Sequence, residues 1–383
     1  MAHTSTVLHQ LIKLLSRHEF EKLASQHHVG QRLRKISRWD QFVALLMSQL
    51  NGRQSLRDIE ANINAQGVHH YHLGIKRISR SSLSRINENQ PFSLYQQLFA
   101  HLLSKLQHAA PGHRFQFNHR LFSLDSSLIE LSLKLFPWAD HNRTKGAMKV
   151  HVGLDHAGLI PTFVQITDGR DHDVKIGRQF DFPKHSIVVF DKGYTDYKWY
   201  KNLTDKQIFF VSRQRSNAAY RVIKTARVDK TRGVCHDQLI ELTGSQLRHL
   251  AMPTLRRIVY QDQDSGKEYV FITNHLELDA RTVADLYKER WQVELFFKAM
   301  KQNLKIHAFV GRSRNAVMTQ IWVAMCAYLM LCYLKLVSKT GWTEQRIMRV
   351  LQANLFTRQS LIALIKPSPP PDGGGGGQMR LIA

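Results

Sequence analysis

The chain has 383 residues, 43% hydrophobic and 22% charged. This ordinary globular composition excludes a wholly disordered chain, and the length suggests two or three domains. Lysine and arginine number 54 against 30 acidic residues, a formal charge of +24 whose field attracts polyanions such as DNA, RNA or an anionic membrane.

Three cysteines cannot make a disulfide framework and fit a reducing cytosol. The opening ten residues are polar and read as lacking a secretory signal. Residues 1–120 carry 16 basic and 6 acidic side chains. Apolar residues recur there at helical spacing, among them Leu8, Leu11, Leu15, Phe42, Leu45 and Leu46, which predicts a basic all-helical domain. Ser55 reads as an N-cap, and a short helix is expected near Ser79–Ser81. With Arg77, Arg80 and Arg85 this fits either a helix-turn-helix-like DNA reader or a bundle with a solvated basic face.

The period then changes. Residues 121–131, 148–154 and 159–167 read as strands, the last two joined by the turn Asp155-His156-Ala157-Gly158. A short helix after Asp173, a buried strand at 186–190, a helix at 196–203 and a strand at 208–212 follow. Three antiparallel strands and then βαβ units give a mixed sheet flanked by helices, the ribonuclease-H-like plan. Residues 214–277 hold four further strand patterns and read as a β-rich insertion subdomain. One long helix is expected from Asp279 past Lys301, and helices over 315–337 and 343–365. The run 321–334 is strongly apolar and reads as a core helix rather than a membrane span. The final 17 residues, with five consecutive glycines, read as a disordered tail.

Two carboxylates stand out. Asp125 lies within an apolar strand, and Asp191 ends the buried strand before it. Charge at such positions is costly unless it is paired or binds metal. On the long helix, at about 100° per residue, Tyr287, Arg290, Glu294 and Lys301 share one stripe. Trp291 and Lys298 lie beside it, while Leu286, Val293, Phe297, Met300 and Leu304 form an apolar stripe. Glu289 projects to the opposite side and reads as a poor ligand. The cluster Asp168, Asp171 and Asp173 reads as a loop with a helix cap.

The spacing Tyr287-x2-Arg290-x3-Glu294-x6-Lys301 resembles the Y-R-E-K signature of the insertion-sequence-four family of bacterial DDE transposases. Asp191-Lys192-Gly193-Tyr194 resembles that family's second-aspartate motif, although arginine more often follows the aspartate, and Leu124-Asp125-Ser126-Ser127 resembles the first. The resemblance implies that Asp125, Asp191 and Glu294 hold two Mg2+ or Mn2+ ions, for which hard oxygen ligands are suited. It implies DNA contacts from Tyr287, Arg290, Trp291, Lys298 and Lys301. The implied partners are double-stranded DNA, as element terminal inverted repeats and as target, and a second copy of the chain on that DNA. No membrane is implied, and the expected location is the bacterial cytoplasm, at the nucleoid. Relatives that form a DNA hairpin stack a flipped base on a tryptophan of the insertion. None of the six tryptophans here falls in 214–277, where Tyr220, Tyr260, Tyr269 and Phe271 are available. Two other functions remain open: a nuclease on the same fold that never joins ends, and a DNA-binding protein whose catalysis has decayed.

Overall fold

A computed structural model describes residues 5–366 apart from 53–54, 109–111, 113–114, 116, 118, 143–144, 245–246, 248 and 305–308. The tail read as disordered therefore lies outside the described residues. Seven helices come first: α1 Val7–Ile12, α2 Arg17–Gln26, α3 Arg38–Asn51, α4 Leu56–Ala65, α5 His70–Leu73, α6 Arg80–Asn89 and α7 Ser93–Gln107. Their starts follow local chemistry. Ser55 accepts from the Asp58 amide, Ser79 from Ser82, and Ser37 forms a reciprocal capping box with Asp40, each satisfying an amide that the first turn leaves unpaired.

The strands are β1 Leu121–Leu131, β2 Asp140–Asn142, β3 Lys145–Asp155 and β4 Ile160–Asp168, followed by helix α8 Asp173–Gly177. Next come β5 Ile187–Phe190, helix α9 Tyr197–Asp205 and β6 Phe209–Arg213. Four more strands follow: β7 Tyr220–Thr225, β8 Val234–Leu242, β9 Leu255–Gln261 and β10 Glu268–Thr273. The predicted cap of α8 is displaced by one residue, since His172 occupies that position and Asp173 begins the helix.

All ten strands join one sheet in the order β2-β3-β1-β5-β6-β10-β9-β8-β7, with β4 also paired to β3. β1, β5 and β6 run parallel, while β3 and β4 are antiparallel to their neighbours. This is the mixed arrangement expected of a ribonuclease-H-like sheet. The strands of 214–277 extend that sheet instead of forming one of their own. β10 pairs with β6 from Phe271↔Arg213 to Thr273↔Val211, and Ile240, Leu255 and Ile272 share a core with Phe122, Val188 and Phe210.

Five helices follow among the described residues: α10 Ala280–Glu289, α11 Trp291–Asn303, α12 Arg314–Ser338, α13 Glu344–Asn354 and α14 Leu361–Ile365. The helices expected over 279–301 and 343–365 are thus each divided in two. α12 is long and apolar enough to cross a membrane by length and composition, yet it is buried almost all round. One core contains Leu8, Phe42, Leu45, Tyr95 and Leu98 of the first helices together with Ile321, Met325 and Leu329 of α12. The boundary read at residue 120 therefore cuts across a continuous core: α12 supplies the apolar surface that α3 and α7 bury. Burial of a helix that is hydrophobic on every face is the usual outcome inside a large protein.

Candidate active site

The register of the parallel pair brings the two aspartates together. β1 and β5 are aligned Leu121↔Ile187 through Leu124↔Phe190, so Asp125 and Asp191 are the next residues on two adjacent strands, whose backbones lie about 4.8 Å apart. Side chains alternate across a strand. Leu124 and Phe190 point into one core, and Asp125 and Asp191 therefore face the other way. On that face α10 packs Val283, Ala284 and Leu286 against Leu121, Ile187 and Val189.

The third carboxylate arrives on α11. Asp279 caps α10 through the Thr282 amide, as expected. At Arg290 the expected long helix changes its hydrogen bonding while the backbone stays right-handed helical, with φ −53° and ψ −28°. α10 ends at Glu289 and α11 starts at Trp291. There the Arg290 amide donates to the Tyr287 carbonyl at 3.1 Å and the Val293 amide to the Arg290 carbonyl at 3.2 Å, which is tight i→i−3 bonding. The apolar stripe is as predicted, with Leu286, Val293, Phe297, Met300 and Leu304 all buried.

Arg290 links the carboxylates. Its Nη1 donates to Asp125 Oδ2 at 3.1 Å, and its Nη2 donates to Glu294. The Tyr287 hydroxyl lies 3.4 Å from Asp191 Oδ1, and Arg290 sits over the Tyr287 ring. Burial pushes the Asp125 carboxyl up to about 6, opposed by the Ser126 amide and Arg290 and reinforced by the charges of Glu294 and Asp191. Three carboxylates thus share one field, and a fixed cation lies between two of them.

The remaining predicted residues spread outward. Trp291 is 57% exposed. It borders a cavity of about 360 Å³ that also meets Asp191, Arg213, Tyr269, Phe271 and Tyr287. Lys301 is half-buried, two turns or about 10 Å beyond Glu294 along the helix. Lys298 is exposed and lines a different groove, beside Gln292, Leu295 and Gln302, so the structure does not bring it to the carboxylates. Glu289 is not turned away to solvent. Its side chain is 13% exposed and lies 3.7 Å from His156 Nδ1. The helical projection puts Glu289 about 140° from Glu294 and beside the buried Leu286 and Val293, which accounts for its burial.

Arg213 was not singled out from the sequence, and the contacts of Tyr269, Phe271 and Asp173 depend on the fold. Arg213 lies over the ring of Tyr269, and Phe271 packs on Tyr287 with ring centroids 4.9 Å apart. The i, i+2 spacing of Tyr269 and Phe271 on β10 was the available signal that both share a face. On the opposite face of β1, Asp173 accepts from Ser126 Oγ at 2.6 Å and lies 3.2 Å from Lys149 Nζ and 3.5 Å from His151 Nδ1. Burial holds the His151 imidazole down at about 4, against the pull of Asp173. Asp173 thus braces the strand that carries Asp125. Asp168 and Asp171 pair instead with Arg314 and Lys175.

Among the described residues no three His, Cys, Asp or Glu side chains converge tightly enough to form a ready metal cage. The donor chemistry nevertheless fits a hard divalent ion. The ligand set is carboxylate only, Asp125 is poorly solvated, and its neighbours Glu294 and Asp191 repel its charge. A cation relieves each of these costs.

A mixed sheet of this order, carrying two aspartates on adjacent strands and a glutamate on a covering helix, defines a phosphoryl-transfer nuclease class of fold. Comparison with known proteins makes this specific. The sequence profile of the Transposase DDE domain matches residues 116–330, and a Domain of unknown function (DUF4372) matches residues 3–76. The chain is similar to y4zB of Sinorhizobium fredii, named as a transposase, at 32% identity over 75% of this chain and 80% of the relative. It is 27% identical to a Geobacillus stearothermophilus protein named as a transposase for insertion sequence element IS5377, over 68% of each chain. It is 25% identical to a Synechocystis protein named as a transposase for element IS4SA, over 85% of this chain and 89% of the relative. The piggyBac transposase synaptic complex with hairpin DNA overlaps at a TM-score of 0.44 and 13% identity over 95% of this chain and 84% of that one, too loose a likeness to carry an argument. The chain belongs to the DDE transposase family. It is a transposase, an enzyme that uses divalent metal and binds DNA.

Proposed function

We propose that this transposase cleaves DNA at the ends of an insertion sequence and joins the freed ends to target DNA, by cut-and-paste transposition. The observation that carries the reading is the Arg290 guanidinium bridging Asp125 and Glu294, with Asp191 on the strand beside Asp125. Asp125, Asp191 and Glu294 would hold two Mg2+ or Mn2+ ions. When bound, these supply Lewis-acid activation of the attacking oxygen and stabilisation of the leaving one at a single phosphorus.

The chain's own residues orient the substrate. Arg290 offers a planar fork suited to a phosphate once the metal neutralises the carboxylates it now pairs. Tyr287 fixes Asp191, and Lys301 adds a cation along α11. Trp291, Tyr269 and Phe271 border one cavity. An extrahelical base has aromatic faces there on which to stack, at about 1–3 kcal/mol per base. This supports a hairpin intermediate without a tryptophan from the insertion. The enzyme acts as a homodimer on the two element ends, at the bacterial nucleoid.

The test is direct. Purified full-length protein, duplex carrying the terminal repeats of the parent element, and Mg2+ are incubated, and products are separated on a denaturing gel. Expected are a nick at the element end, a hairpin and strand-transfer product. Nicking without any joining would favour a plain nuclease, and no cleavage with intact binding a decayed enzyme.

A further inference from the structure

The first helices carry a basic surface that the carboxylate site does not use. Arg32, Arg34 and Lys35 are exposed in the loop between α2 and α3, and Lys76, Arg77 and Arg80 are exposed where the chain enters α6. Among the described residues no carboxylate lies within ion-pair distance of any of the six. Cations elsewhere on the surface are matched, as Lys201 is by Asp205, Lys206 by Asp181 and Arg221 by Glu241. Unmatched like charges repel one another, so grouping them costs stability that a bound polyanion offsets.

The fold holds both segments in place. Asp40, 2% exposed at the start of α3, joins them. Its Oδ2 accepts from the Ser37 amide at 2.7 Å and its Oδ1 from the Lys76 amide at 2.9 Å. One carboxylate therefore ties the end of the α2–α3 loop to the start of the second basic segment. α4 holds that segment along its length. Asn64 donates from Nδ2 to the Ile78 carbonyl at 2.8 Å and accepts from the Ile78 amide at 3.1 Å, and Glu60 accepts from the Arg80 amide at 3.0 Å. Residues 75–79 belong to no helix or strand, so side chains supply the partners that their backbone needs. Ile75 and Ile78 are buried, while Lys76 and Arg77 between them are exposed. The result is a loop pinned at residues 76, 78 and 80 that presents unmatched cations to solvent.

We propose that residues 76–80 and the α2–α3 loop form one pre-organised clamp for the phosphates of duplex DNA, with Asp40 and Asn64 as positioning residues beneath the contact. A loop already ordered in its bound form loses less entropy on binding, which is what the anchors from α3 and α4 provide. Six unmatched cations fit a regular row of anions, and duplex DNA carries one phosphate charge per about 1.7 Å of its axis. The inference rests on the DNA binding of the family. It locates that binding on two loops outside the carboxylate site, and it does not require α6 to enter a groove.

The test uses full-length protein without divalent metal and a fluorescent duplex of mixed sequence, with affinity read by anisotropy over a series of salt concentrations. Lys76→Gln/Arg77→Gln/Arg80→Gln and Arg32→Gln/Arg34→Gln/Lys35→Gln should each lower the slope of log K against log salt by up to about 2.7, at about 0.9 for each phosphate. Lys201→Gln/Lys206→Gln/Arg221→Gln removes the same net charge from matched cations and should leave the slope near that of wild type. Asn64→Ala keeps every charge. Its affinity should fall about threefold to tenfold at an unchanged slope, because the segment must now be ordered on binding, and its Ile78 amide should exchange hydrogen faster than in wild type. Asn62→Ala, on the same helix but bonded only to the Asp58 carbonyl within it, should bind as wild type does. A slope that falls no further in the two clamp triples than in the matched-cation triple would overturn the clamp. Wild-type affinity in Asn64→Ala, with a faster-exchanging Ile78 amide, would overturn the positioning role. A wild type that binds no duplex at low salt would instead overturn the DNA binding on which the inference rests.

Discussion

Replacing Asp125 by Asn should stabilise the metal-free protein at neutral pH while abolishing cleavage. The magnitude follows from the carboxyl's surroundings. Burial, together with the charges of Glu294 and Asp191, raises its pKa from 3.8 to about 6 against the opposing pull of the Ser126 amide and Arg290. At 1.36 kcal/mol per unit, the ionised form costs on the order of 3 kcal/mol. Because the folded-state value is raised, the folded protein binds this proton more tightly than the unfolded chain does. The group therefore costs nothing below about pH 4, its cost grows as pH rises from 3.8 toward 6, and it stays constant above that. Asparagine keeps the shape and removes the charge. Urea unfolding of wild type and Asp125→Asn without divalent metal should show equal stability near pH 4 and a gap opening in favour of Asn by pH 7, up to about 3 kcal/mol. Millimolar Mg2+ should then stabilise wild type by mass action and leave Asp125→Asn unmoved. A gap of the same size at pH 4, or an Asn variant less stable than wild type at pH 7, would refute the account of Asp125 as an ionised group strained by burial.

Asp191→Ala and Glu294→Ala should each abolish nicking while DNA affinity, measured by gel shift, stays within a few-fold, because phosphate contact and metal ligation use different side chains. Trp291→Ala should permit the first nick but slow the second-strand step by roughly 5- to 150-fold, the rate equivalent of about 1–3 kcal/mol of stacking; equal slowing of both steps would assign the indole to helix packing. Arg77, Arg80 and Arg85 are exposed in and before α6, and their joint replacement by Gln in the full chain should lower the slope of log K against log salt by up to about 3, near 0.9 for each phosphate left without its neutralising cation. An unchanged slope would leave that face solvated and uninvolved. The full chain is needed, since α12 completes the core that α3 and α7 require.

Much of the site was legible from the residues alone, since its elements are specified by neighbours a few positions apart. Ser55, Ser79, Asp196 and Asp279 announce helix starts through a bond to an amide three residues on. The alternation around Asp125 and the apolar run ending at Asp191 mark strands whose carboxylates are out of place. The stripe from Val293 to Leu304 shows which side of α11 is buried. What depends on contacts distant in sequence was not legible. Nothing local states that β10 pairs with β6 some 60 residues earlier, so residues 214–277 read as a separate unit when they extend the main sheet. Apolar burial is non-directional, so the sequence of α12 says that it is buried but not that α3 and α7 cover it. The joint at Arg290 shows the limit most sharply. Each residue from Tyr287 to Val293 can continue a helix, and the tightened turn at Arg290 coincides with the reach of its side chain to Asp125, on a strand 165 positions away.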